Sequence, residues 1–82
     1  MTISRRIRTF IADTFFVDGF DENDSFLETG TIDSTGMMEL VLFLEQEFSI
    51  KIDDRELVPE NLDSLARASA FVARKQRAED AA

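Results

Sequence analysis

The chain has 82 residues, with 17 acidic against nine basic side chains, a formal net charge of −8, and neither His nor Cys. A chain of that size holds one small domain with a single modest core, and without thiols or imidazoles that core is stabilised by packing alone. The same absences remove the usual general base and the thiol nucleophile, and the acidic balance argues against nucleic acid and anionic membranes as partners while favouring basic patches.

Eight Phe without Trp or Tyr suit such a core, because Phe buries a large apolar area and brings no polar atom that needs a partner. No apolar stretch approaches the ~20 residues that span a bilayer, so the expectation is a soluble, cytoplasmic protein. Residues 1–12 carry three Arg and no acid, residues 13–33 carry seven acids and no base, and residues 34–60 carry seven acids against Lys51 and Arg55.

Ile3, Ile7, Phe10, Ile11 and Thr14-Phe15 fall at helical spacing and predict a first helix from about Ser4 to Phe16. Ser4-Arg5-Arg6 superficially has the look of a twin-arginine export signal, but Asp13 interrupts the apolar segment and no small-residue cleavage site follows. Asp18-Gly19-Phe20 breaks the helix. The connection from Val17 to Asp33 contains two Gly and seven charged or Asn residues, yet Phe20, Phe26, Leu27 and Ile32 are expected to pin it across the core. Asp21, Asn23 and Ser25 have the first three spacings of a calcium loop. Phe26 stands where that loop needs Gly and Ile32 where it needs a bidentate Glu, so no metal site is expected.

A second helix is predicted from Ser34 to Phe48. At 100° per residue Met37, Leu40, Val41, Leu44 and Phe48 form its core stripe. Met38 and Leu42 project the other way, beside Thr35, Glu39, Glu45 and Gln46, and read either as the apolar centre of a docking surface or as ordinary scattered surface residues. Gly36, in the first turn, marks either a close approach by an enzyme or simple tolerance of Gly near a helix start. Ser34 begins this helix with no base to activate it, and so reads as a residue that another enzyme modifies. A phosphodiester on its Oγ would sit where unpaired N–H groups and the helix dipole favour an anion.

Pro59 prevents a long helix in the next segment, so a short third helix is expected just before or just after it. The last helix is predicted to start at a cap provided by Asp63 or Ser64 and to run to about Gln76. Leu65, Ala68, Ser69 and Val72 point inward with Phe71 flanking, and Arg74, Lys75 and Arg77 fall in the last turn. Residues 1–77 make a single domain and 78–82 a frayed tail. Without period-2 alternation or a Gly-rich phosphate loop, the fold class is all-α, with four helices and the third short.

The string Ser25-Phe26-Leu27-Glu28-Thr29-Gly30-Thr31-Ile32-Asp33-Ser34, with Glu39-Leu40, Glu45-Gln46-Glu47-Phe48 and Pro59-Glu60-Asn61-Leu62 downstream, resembles the acyl and peptidyl carrier proteins over roughly residues 3–75. The resemblance implies a four-helix bundle with a long loop between helices 1 and 2, and a covalent 4′-phosphopantetheine on Ser34 with Asp33 before it. It implies a freestanding, monomeric, non-catalytic carrier holding an acyl or aminoacyl group as a thioester. Its partners would be a phosphopantetheinyl transferase, a loading ligase and a downstream transferase or synthase, met through Thr35, Met38, Glu39, Leu42, Glu45 and Asp54. One departure stands out: carriers usually have Leu, Ile or Met after the serine, and this chain has Thr35. Glu56 to Leu62 is loosely similar to the discrete aminoacyl and peptidyl-type carriers. Two other readings are an unmodified carrier-fold module binding a basic partner, and a hydrolase using Ser34; for the latter no His exists and no Lys lies near in sequence.

Overall fold

Thr2 starts the first helix by accepting the Arg5 N–H on its Oγ1 at 3.2 Å, and α1 runs Ile3–Phe15. The expected bounds are shifted by one residue. Ile7 and Ile11, one turn apart, are fully buried, and α1 stops where Phe16 takes the left-handed conformation. The fold is that of a computed structural model, which describes residues 2–17 and 19–81, with side chains through residue 78. Asp18, part of the expected break, lies outside the described residues.

The loop that follows contains a helix that the apolar pattern does not signal, α2, Phe26–Thr29. Ser25 caps it by accepting the Glu28 N–H at 3.1 Å, and Gly30 ends it at φ 76°. This single turn points Phe26 inward and carries Leu27 100° further round the axis. Phe26 and Ile32 are therefore buried and Phe20 packs edge-on against Phe26, as expected of pins, whereas Leu27 is 46% exposed and does not enter the core.

Asp63 holds the same loop by polar contacts. Its carbonyl accepts the Phe26 N–H at 2.9 Å, its carboxylate accepts the Leu27 N–H at 3.0 Å and the Ser25 hydroxyl, and nearby the Glu22 carbonyl accepts the Ala66 N–H at 2.9 Å. Asp63 is thus a buried anchor, and Ser64 is the cap, accepting the Arg67 N–H at 3.1 Å. The Asp21 carboxylate closes its own turn by accepting the Asn23 N–H at 2.9 Å.

Helix α3 runs Ser34–Phe48 with the expected bounds. Leu40, Val41, Leu44 and Phe48 are buried and Met37 is half-buried. The short third helix takes both available positions: a 3₁₀ turn, Asp54–Glu56, precedes Pro59, and α4, Pro59–Leu62, begins with it. Proline suits a first helical position because its missing N–H has no intrahelical partner to lose.

Helix α5 runs Leu65–Ala81, past the expected end near Gln76. Residues 74–81 contain no Gly or Pro to stop it; Ala82 lies outside the described residues. Two further expectations are corrected. Phe71 is 3% exposed rather than flanking, because α5 packs against both α1 and α4 and buries more than one stripe. The cations are not in the last turn: Lys75 pairs with Glu56 at 3.0 Å, and Arg74 donates to Asn61 Oδ1 at 3.2 Å. The architecture is an all-α bundle of three main helices with short helices between them, and no strand occurs among the described residues.

Candidate functional site

Asp33, not Ser34, is the cap of α3. Its Oδ1 accepts the Gly36 N–H at 2.7 Å and its carbonyl accepts the Met37 N–H at 2.9 Å, which fixes the first turn from the residue before the serine. Ser34 is then the first residue inside the helix and is exposed. Its hydroxyl makes no hydrogen bond among the described residues, so none of them activates it as a nucleophile or competes for its Oγ. A phosphate esterified there would lie at the N-terminus of a 15-residue helix, where the dipole favours an anion. The donor chemistry fits a phosphopantetheine ester.

Gly36 is explained by this chain's own packing. A Cβ on it would come within 2.7 Å of Phe15 Cε1 and 3.0 Å of Ile32 Cγ2. Gly36 is buried, so the close approach is by the end of α1 and not by an enzyme.

Thr35, Met38, Glu39 and Leu42 share one outward stripe of α3, and all four are exposed, Met38 at 52% and Leu42 at 54%. Glu45 continues the stripe but is half-buried, its Oε2 accepting the Ile52 N–H at 2.9 Å. That carboxylate ties down the segment leaving α3. Asp54 is exposed in the 3₁₀ turn.

An apolar cleft of about 190 Å³ lies beside the stripe, lined by Leu27, Met37, Met38, Val41, Leu57 and Pro59 among others. Sequence reasoning gave no role to Leu57, and put Leu27 in the core. These residues come from α2, α3, α4 and the link before α4, so no spacing in the chain could have joined them. One residue before Leu57, Glu56 accepts the Asp53 N–H at 2.9 Å and pairs with Lys75 at 3.0 Å. The backbone hydrogen bond from Asp53 does most to hold the Glu56 carboxyl below its ordinary value; burial opposes it, and the hydrogen bond and charge of Lys75 add to the lowering.

The chain is an acidic helical module with an exposed serine just inside a capped helix start. The phosphopantetheine attachment site family matches residues 5–72, most of the chain, and the chain belongs to that family. Its prosthetic group is accordingly a covalent 4′-phosphopantetheine, and the domain is a non-catalytic carrier. The hydrolase reading of Ser34 is thereby set aside. No helix among the described residues is long and apolar enough to cross a membrane.

Proposed function

We propose that the chain carries an acyl or aminoacyl group on a 4′-phosphopantetheine arm attached to Ser34 Oγ, and presents it to a loading ligase and a downstream transferase or synthase. The observation that carries this reading is the exposed, unengaged hydroxyl one residue after the Asp33 cap. In the attachment reaction, catalysed by the transferase, Ser34 Oγ attacks the phosphorus of coenzyme A that bears the pantetheine. The P–O bond to the adenosine bisphosphate portion breaks, and the serine proton passes to a base on the transferase. Once bound, the group supplies the thiol that the sequence lacks.

The outward stripe of α3, with Met38 and Leu42 at its centre and Glu39 and Asp54 as acidic rim, is the docking surface of this reading. Glu45 contributes mainly by holding Ile52. The cleft is smaller than the ~300–1,000 Å³ that encloses a drug-sized ligand. Its size supports a short apolar cargo, or a longer one that stays largely outside. Residues 1–77 are taken as the folding unit, so a chain ending at Arg77 should unfold at the same temperature.

Intact-mass measurement after incubation with coenzyme A, Mg²⁺ and a broad-specificity transferase tests the attachment point. A single phosphopantetheine mass should appear on the native chain and vanish in Ser34→Ala, whose circular dichroism stays unchanged. Modification that persists in Ser34→Ala overturns the assignment, and a chain that never gains the mass favours the unmodified interaction module. Thr35→Leu should speed modification a few-fold, since the added apolar contact is worth ~0.8 kcal/mol per methylene-sized group. A slower Thr35→Leu with every transferase tried shows that Thr35 is the preferred contact.

A further inference from the structure

Phe16 has a placement that the fold does not explain. It is 91% exposed, far more than Leu27, Met38 or Leu42, and its backbone is left-handed at φ 56° and ψ 40°. That conformation is unfavourable for a bulky L-residue, and full exposure forfeits the burial through which Phe stabilises a fold. The other left-handed helix ends use small residues: Gly30 after α2 and Ser49 after α3. A single exposed apolar side chain is ordinary. One that also sits in a strained backbone conformation points to a role outside folding.

Its position supplies the role. The neighbouring Phe15 closes on Gly36, where a Cβ would come within 2.7 Å of the ring, and Gly36 is two residues beyond Ser34. The end of α1 and the start of α3 therefore meet at the same end of the bundle. Asp13 and Asp33, both exposed, belong to the two segments that meet there.

We propose that Phe16 is an anchor for the phosphopantetheinyl transferase, seated in an apolar pocket with a basic rim beside that enzyme's active site; this rests on Ser34 as the attachment point. The transferase is the partner singled out because it must bring its catalytic groups to Ser34 Oγ itself, before any arm exists. It therefore has to cover the junction of α1 and α3. Enzymes that act later reach a thioester at the far end of the arm and can dock elsewhere.

The test compares Phe16→Gly with the native chain in thermal unfolding and in modification by a transferase that modifies the native chain. Phe16→Gly should unfold at the same or a higher temperature, because Gly is at ease in the left-handed region. Its kcat/KM should fall about tenfold, mainly through KM, as expected on losing an aromatic interface anchor. Phe16→Leu should recover most of that loss. Binding gives a readout without turnover: the Ser34→Ala chain should lose about tenfold in affinity for the transferase when Phe16→Gly is added. Equal affinity and equal kcat/KM overturn the anchor while the mass on Ser34 still stands. A lower unfolding temperature for Phe16→Gly overturns it too, by making Phe16 structural. If the native chain is never modified, the attachment reading fails first and the anchor falls with it.

Discussion

At Gly36 one missing Cβ decides how the end of α1 meets the start of α3. Adding it sets two effects against each other. Ala gains up to ~1 kcal/mol in helix propensity over Gly, while overpacking a filled site costs ~1–3 kcal/mol. The second should win. Phe15 is held edge-on to Phe10 with ring centroids 6.1 Å apart, Ile32 is only 1% exposed, and the Cβ would meet both. Gly36→Ala is therefore expected to lower stability by ~1–2 kcal/mol, read as a lower urea midpoint at unchanged slope. A stabilised variant would mean that the Phe15 ring swings aside without loss. The glycine itself was visible in the sequence, but its reason was not, because Phe15 and Ile32 reach it from another helix and from the loop.

The elements differ in how far the chain declares them. Helix α3 was legible to the residue, since the apolar stripe from Met37 to Phe48 carries the helical period, and the Asp33 cap and left-handed Ser49 that the structure adds lie just outside those bounds. Helix α2 was not, because four residues hold barely one turn and so carry no period. That is also why Leu27 reads as a pin when it forms a wall of the cleft. The end of α5 was misplaced for want of a stop signal, and the loop's polar anchor was hidden because Asp63 lies 38 residues from Ser25. Two predictions belong here. Asp63→Asn keeps the shape but replaces one of the two accepting oxygens with an NH₂ donor, so it can accept from only one of the Ser25 hydroxyl and the Leu27 N–H and should destabilise the fold by ~1–3 kcal/mol. Amide exchange at Leu27 should quicken before that of the core, and unchanged protection there would show that the apolar pins suffice. The second concerns Glu56, whose carboxyl in the folded chain lies below its ordinary value. Its contribution is fully present above the ordinary carboxylate range and disappears as pH falls through its own lowered pKa. The stability gap between the native chain and Glu56→Gln should close as urea titrations are repeated at falling pH; a gap that stays constant would remove the carboxylate's charge from the account.

Over the whole molecule, a net charge of −8 makes encounter with a basic partner a long-range event and separation a short-range one. Exposed charges are screened beyond ~8 Å at physiological ionic strength, so association with the transferase or the loading ligase should slow as salt rises. Glu39→Lys and Asp54→Lys should reproduce that slowing at low salt, because both side chains are exposed. Glu45→Lys is a poor probe of the same effect, since it also removes the acceptor for the Ile52 N–H and changes the backbone next to the surface it is meant to test. Met38→Ala and Leu42→Ala should act on the other step and speed dissociation, because apolar contacts form only after docking and changes within one interface fall mostly on the off-rate. Circular dichroism has to show α3 intact in each variant, as a melted helix would imitate all of these losses. Stopped-flow association with the transferase across a salt series is the measurement. Salt-independent association with full affinity in the Glu39→Lys, Asp54→Lys double variant would move the docking surface away from α3, and toward the end of α1 where Phe16 stands.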